Sequence, residues 1–518
     1  MPPNSIDKVV DLPSGEVLLP TKNEECPETE KETRDFRTSF PQVLATMAQS
    51  MLLFSLGMLV SVPTVVIPAV TKISNVTSCN STDSAQDGCL RLTDGEASTF
   101  AGVLLIMQPF GSLLAGVIQE SVGRKLCMLL VNIPELIGWL LLYYASSSWH
   151  LYTAAVSLGF SIGVMEAPTL SYVGEIAQPH LRGVLASFTS VYVSVGTLLM
   201  YTMGTFLHWK TVMAISICVP VLTFIAILQI PESPVWLLLK GRDADATKSL
   251  CWLRGWTTPD KVEKELRQMQ DHAIASKLVT GEISEKNPDG ILRKPTLKEK
   301  LVDLMRPAMI QPLTLVIAYF FFTHCTGLNG ARPYLVKVYT RLGVSINPFF
   351  GTVLGAISQI VGVIVCMLIV RRVGKRKLSL ITMFTCSIIN LCLGFYSLLH
   401  ETGNLSLSWL PLVLMALVSF TANTGFAIIP WTLLSEVFPP RGRGVGGGLS
   451  AASFYVEWFI VTKSWPYLQS VIQLYGMFFL YSSLGFIGTL YLYMNLPETE
   501  GHSLEEIEGL FKKNRLRR

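Results

Sequence analysis

Two stretches of this sequence carry the same message: Glu175 to Gly183 reads E-I-A-Q-P-H-L-R-G, and Glu436 to Gly444 reads E-V-F-P-P-R-G-R-G. In each, a glutamate is followed seven residues later by an Arg-Gly pair (Arg182-Gly183, Arg443-Gly444). A proline lies inside each motif (Pro179, Pro439) and another in the apolar run before it (Pro168, Pro430). The matching register identifies an internal duplication, since a repeat architecture places the same acid, helix breaker and base at equivalent points of two halves. In a helical membrane protein, such a motif at one face of both halves predicts a latch between halves that rock about a central site.

The surrounding composition supplies the membrane. Of 518 residues, 50% are hydrophobic and only 15% charged, and the mean hydropathy is +0.45, more apolar surface than a water-soluble fold needs. A formal charge of +4 is too small to point to nucleic acid. The ten cysteines form no C-x-x-C pair of the kind that holds zinc, and most fall in apolar runs (Cys127, Cys218, Cys325, Cys366, Cys386, Cys392) as small hydrophobes. Cys79 and Cys89 differ: they share a polar loop with the glycosylation acceptors Asn75-Val76-Thr77 and Asn80-Ser81-Thr82, which predicts an oxidising face and allows a disulfide.

About 20 apolar residues cross a bilayer core, and the runs are counted on that scale. Residues 1–42 are polar, acidic and without a signal-peptide pattern, a disordered cytosolic tail before a first span at 43–70 that serves as an uncleaved anchor. Further runs at 97–119, 126–146, 149–174, 184–207 and 211–230 complete a six-helix bundle over 43–230. Residues 231–307 form a charged cytosolic loop with helical stretches at 244–253 and 261–276. Six more runs, at 308–330, 347–370, 378–400, 407–435, 445–467 and 473–496, make a second bundle over 308–496, and 497–518 is a basic tail. The fold expected is an all-α membrane protein of twelve spanning helices in two pseudo-symmetric bundles.

Positive charge orients it. Arg124, Lys125, Arg182, Arg371, Arg372, Lys375, Arg376, Lys377, Arg441, Arg443 and the tail fall on one side, and the sequons fall on the other, so both termini are expected in the cytosol. Both halves also leave the membrane alike, at Pro231-Glu232-Ser233-Pro234 and at Pro497-Glu498-Thr499-Glu500-Gly501.

Assembled, these residues resemble the sugar porter family of the major facilitator superfamily over about 43–510. They include the G-x-x-x-(acid)-x-x-G-R-K run from Gly116 to Lys125, the twin E-x6-R-G motifs, P-E-S-P with Gly241-Arg242, P-E-T-x-G, and Pro430-Trp431. The run S-V-P-T-V-V-I-P-A in the first span and I-G-W-L-L at Ile137 to Leu141 look most like the facilitated trehalose transporter branch. The resemblance implies a monosaccharide or disaccharide bound between the bundles at mid-membrane, in a plasma-membrane carrier expected to act as a monomer without cofactor or metal. It places substrate contacts at Thr323, His324 and Asn329 in the seventh span, at Trp431 in the tenth and at Ser190 in the fifth, and Tyr334 joins them by its spacing from Asn329. Two departures stand out. The family's glutamine pair before S-G-I-N is Thr323-His324 here, although Asn329 survives, and the acid expected at the head of the loop after the eighth span is Arg371.

Four ionisable residues lie inside spans: Glu135, Glu166, Arg332 and Glu457. Each costs about 2.5–3.5 kcal/mol at mid-membrane on insertion scales, so each is expected to face a cavity or a partner. Arg332, three residues past Asn329, either touches substrate or pairs with Glu457 or snorkels. The first span contains no Asp or Glu and no G-x-x-x-x-G-K-[ST] loop exists, so facilitated diffusion is the expected mechanism, with Glu166 a displaced proton site as the other possibility. The latch is expected to use Arg124, Glu175, Arg182, Arg372, Glu436 and Arg443, paired across the bundle interface when the carrier faces outward. A polyol or organic-ion carrier, or a nutrient sensor that transports nothing, are the other functions these departures leave open.

Overall fold

The computed structural model describes residues 36–71, 90–279, 307–327, 329–403, 407–438, 443–500 and 506. Asn75, Asn80, Cys79 and Cys89 fall outside the described residues, as do Arg441 and the side chains of Arg182 and Arg443.

Spanning helices are numbered α1–α12 in chain order. The first six are α1 (Phe36–Val70), α2 (Asp94–Val122), α3 (Arg124–Tyr143), α4 (Ser148–Ile176), α5 (Pro179–Phe206) and α6 (Trp209–Gln229). Next come α7, which starts as Pro307–Thr326, then α8 (Pro348–Val373), α9 (Lys375–Glu401) and α10 (Leu410–Leu434). The helix Arg443–Asn495 is 53 residues long, far beyond the ~20 that one crossing needs. It breaks at Gln473, whose φ of 61 is left-handed, and so supplies both α11 and α12. Twelve spans result, in two bundles of six, as the duplication requires.

Proline marks where the helices bend. Interruptions at Met107, Val131 and Ile217 each come two or three residues before a proline (Pro109, Pro134, Pro220), which has no N–H to give the preceding turn. The breaks in α7 and α10 are deeper. After Gly327, α7 continues as a 3-10 segment, Asn329–Tyr334, and then as Leu335–Arg341, while α10 is interrupted from Gly425 to Ile428 before resuming as Ile429–Glu436. Broken helices free backbone carbonyls at mid-membrane, which is tolerated where they line a cavity or find partners in protein.

Glycine sets the closest helix approach. A Cβ on Gly57 would stand 2.0 Å from the Val193 carbonyl oxygen, and one on Gly196 2.0 Å from that of Phe54, so α1 and α5 touch backbone to backbone. Protein covers 83% of the most apolar stretch of α1, against 22% for α8. Leu368, Phe395, Leu490 and Met494 remain exposed, as a lipid-facing surface requires. Three short helices, Pro234–Leu239, Asp243–Leu253 and Pro259–Val279, follow α6. Arg254, buried among them, pairs with Glu265 at 2.6 Å and donates to the Ile176 carbonyl at 3.3 Å, tying this cluster to the end of α4.

Candidate functional site

The duplication is built in detail at the end of the molecule that carries the E-x6-R-G motifs. Gly123 (φ 105) and Gly374 (φ 87) turn the chain sharply into α3 and α9. Glu232 accepts from the backbone N–H groups of Arg124 (3.1 Å) and Lys125 (3.0 Å), and Glu498 from those of Lys375 (2.9 Å) and Arg376 (3.2 Å). Each carboxylate therefore caps a helix whose first N–H groups have no other partner and whose dipole favours negative charge. Glu232→Gln and Glu498→Gln are each expected to lower stability by about 1 kcal/mol, seen as a lower melting temperature of the purified protein; an unchanged melt would deny the caps an energetic role.

The side chains of the same two turns meet the motif acids. Arg124 donates to Glu175 at 2.8 Å, and Lys375 pairs with Glu436 and, at 3.1 Å, with Glu500. Ser233 also donates to Glu175. Partners do lie on other helices, as the seven-residue spacing demands, but in the same bundle. The basic partner of Glu436 is Lys375 rather than Arg372: the turn at Gly374 points the first residue of α9 inward, and Arg372 in the last turn of α8 is exposed. A signal for it exists in the sequence, since Gly374-Lys375-Arg376 repeats Gly123-Arg124-Lys125.

Polar contacts between the bundles sit elsewhere. Among the described residues they lie at mid-span or toward the opposite end, where Lys337 pairs with Asp94 at 3.0 Å, Lys463 donates to Thr99 at 2.8 Å, and Phe206 packs edge-on against Phe350 at 5.8 Å. Arg332 belongs to this closure. Its guanidinium donates to Thr197 Oγ1 (3.2 Å) and Tyr201 OH (3.4 Å) on α5, and its carbonyl accepts from Thr64 of α1 (2.7 Å). It does not pair with Glu457, which lies beside Cys325 and leaves Oε2 buried without a partner. At mid-span Gln359 of α8 donates to Ser194 of α5 at 3.2 Å, one turn beyond half-buried Ser190, and Tyr455 of α11 donates to Glu166 of α4. These contacts join the bundles at mid-span and at the end away from the motifs.

The break in α7 is organised by its own residues. Thr323 donates to the Tyr319 and Phe426 carbonyls (2.9 and 3.1 Å), the second of them freed by the break in α10. His324 is fully buried; its Nε2 meets the Phe454 carbonyl at 3.0 Å, which can only accept, so the proton is on Nε2 and Nδ1 accepts from Asn329 Nδ2 at 3.2 Å. Thr323 and His324 therefore spend their polar atoms on the protein. Asn329 is the half-buried amide they present, and its backbone carbonyl accepts from the Trp458 indole at 3.2 Å. The rings of Phe454 and Trp458 lie 4.5 and 5.8 Å from His324, and Phe320 and half-buried Trp431 pack on Phe454 at 4.9 and 4.7 Å. Tyr334 is buried farther along the 3-10 segment. Glu135 is sealed in the first bundle, where Ser55 and Trp139 donate to one carboxylate oxygen.

The sequence profile of the family described as "Sugar (and other) transporter" matches residues 44–511, nearly the whole chain. The chain belongs to this family. It is 26% identical over 472 residues to the facilitated trehalose transporter Tret1 of Polypedilum vanderplanki, covering 90% of this chain and 88% of that one. To the Tret1 of Culex quinquefasciatus it is 28% identical over 420 residues, covering 80% and 78%. Among solved structures it resembles the inward open conformation of the xylose transporter XylE from E. coli, with a TM-score of 0.68 at 18% identity over 90% of this chain and 98% of that chain. It also resembles the proton:xylose symporter XylE bound to 6-bromo-6-deoxy-D-glucose, with a TM-score of 0.66 at 18% identity over 91% and 98%. Fold and family are those of a multi-pass major facilitator sugar transporter, not of an enzyme.

Proposed function

We infer that this sugar transporter carries trehalose or a hexose down its gradient, binding it beside Asn329 and exposing it to each side in turn. The observation that carries this reading is where the two bundles meet: polar contacts join them at mid-span and at the end away from the motifs, with a broken-helix amide on α7 near the same level. With the positively charged loops in the cytosol, the end so joined is the outer one and both termini are cytosolic. A monomer in the plasma membrane fits a site built wholly between the two halves of one chain.

Uniport is supported by α1, which has no acid between Phe36 and Val70. Among the described residues the carboxylate that reaches α1, Glu135 through Ser55, is 0% exposed in this conformation. Radiolabelled uptake into oocytes with trehalose, glucose, fructose, polyols and organic anions tests the cargo. Saturable trehalose or hexose uptake, unchanged by a protonophore, is expected. Uptake that collapses with the protonophore overturns uniport, uptake of anions alone overturns the sugar, and no uptake at all favours a sensor.

A further inference from the structure

The family resemblance calls for two glutamine side chains on α7 facing the sugar, and this chain offers Thr323 and His324, both turned into the protein. One amide, Asn329, is too little for a ring of hydroxyls: a sugar needs acceptors as well as donors at its edge. The missing polarity comes from the other bundle. Tyr455 lies one turn before Trp458 on α11, and next to the Phe454 that binds His324, so it stands at the level of the α7 break. From α4, Glu166 reaches this level and accepts the Tyr455 hydroxyl proton on Oε2. No described donor reaches Oε1, and the residue is half-buried, at the meeting of the two bundles. A glutamate at mid-membrane is retained against an insertion cost only where it faces a cavity or a partner, and Tyr455 is the partner on one oxygen, which leaves the other for a ligand.

We propose that Glu166 is the specificity-determining acceptor of the sugar site: Oε1 accepts hydrogen bonds from one or two adjacent sugar hydroxyls, and Tyr455 is the positioning residue that holds the carboxylate from the opposite bundle. This rests on the sugar-carrier reading given above. A carboxylate is acceptor-only and offers several lone pairs, so it selects neutral rings rich in donor hydroxyls and repels acidic sugars. Arg332, the cation that could have attracted an acid, is committed to Thr197 and Tyr201. Because the acid and its holder are on different bundles, the sugar meets a complete site only while α4 and α11 are together at mid-span.

The test is uptake kinetics of the full-length carrier in oocytes, with the sugar transported by the wild type and its monodeoxy analogues as competitors, normalised to surface expression. Glu166→Ala is expected to raise KM roughly tenfold or more, the scale of a lost hydrogen bond to a charged group, with a smaller change in maximal rate. Glu166→Gln keeps an acceptor for Tyr455 and is expected to raise KM less; it also keeps the test open if the alanine variant fails to reach the membrane. Tyr455→Phe is expected to raise KM by a few-fold. The decisive arm is discrimination: in the wild type at least one deoxy analogue competes roughly tenfold worse than its parent, and in Glu166→Ala that analogue and parent compete alike. Wild-type KM in both Glu166 variants, or undiminished discrimination in Glu166→Ala, overturns the proposal while leaving the sugar carrier intact. A wild type that moves none of the sugars overturns both.

Discussion

Replacing Lys375 by alanine is expected to destabilise the second bundle by about 3–5 kcal/mol, the cost of removing one partner from a buried ionic cluster. Among the described residues Lys375 is the cation that joins two acids, Glu436 and Glu500, and its side chain is only 11% exposed. Glu436 already keeps one carboxylate oxygen buried without a described partner. Two like charges are left facing each other in a site with little solvent, and the turn capped by Glu498 is loosened with them. Glu436→Ala is expected to be milder, because Lys375 keeps Glu500 at 3.1 Å. That variant is instead expected to shift the population toward the conformation open at the motif end and to reduce net transport, the motif acids being the groups offered to the opposite bundle when the two ends exchange roles. Thermal melts of the purified proteins read the difference. Equal melting temperatures for Lys375→Ala and wild type would rule out the cluster as a stabilising element, and normal cycling in Glu436→Ala would count against a latch.

Arg332→Leu is expected to weaken the closed end rather than the fold. The substitution removes a charged donor from Thr197 at 3.2 Å and a longer contact with Tyr201 at 3.4 Å, while the backbone bond from Thr64 survives. A loss of about 2 kcal/mol, typical for a hydrogen bond to a charged group, moves the balance between the two conformations by roughly thirtyfold. Deuterium exchange should rise in the first turns of α2 and in Leu335–Arg341, which meet across this closure through Asp94 and Lys337. Uptake should fall through the maximal rate more than through KM. Unchanged exchange and uptake would remove Arg332 from any role in the cycle; a change confined to KM would place it at the substrate instead.

The two charges that part ways, Arg332 and Glu166, show where reading the chain succeeds and where it stops. That each must face a cavity or a partner follows from hydropathy alone, and both do. Which partner each meets could not be read, because Thr197 and Tyr201 lie over 130 positions from Arg332, and Tyr455 289 from Glu166. The same holds for Thr323 and His324. Their place beside Asn329 marks the break in α7, but nothing local says that Phe426 and Phe454 carbonyls wait for them. Lys375 is legible in the sequence: its place after a glycine, matching Arg124, carries the information that Arg372 does not.

By itself the sequence determined the membrane, the twelve crossings, the two halves and the end of the molecule that holds the charges. These follow from hydropathy over about 20 residues and from a repeated motif, both local along the chain. Only the tertiary structure decided that the charged motifs pair within each bundle, that Arg332 and Lys337 join the bundles at the far end, and that Tyr455 of the opposite bundle meets Glu166. Those are contacts between helices distant in sequence. Helix periodicity fixes which residues share a face, but the packing of bundle on bundle fixes what that face meets.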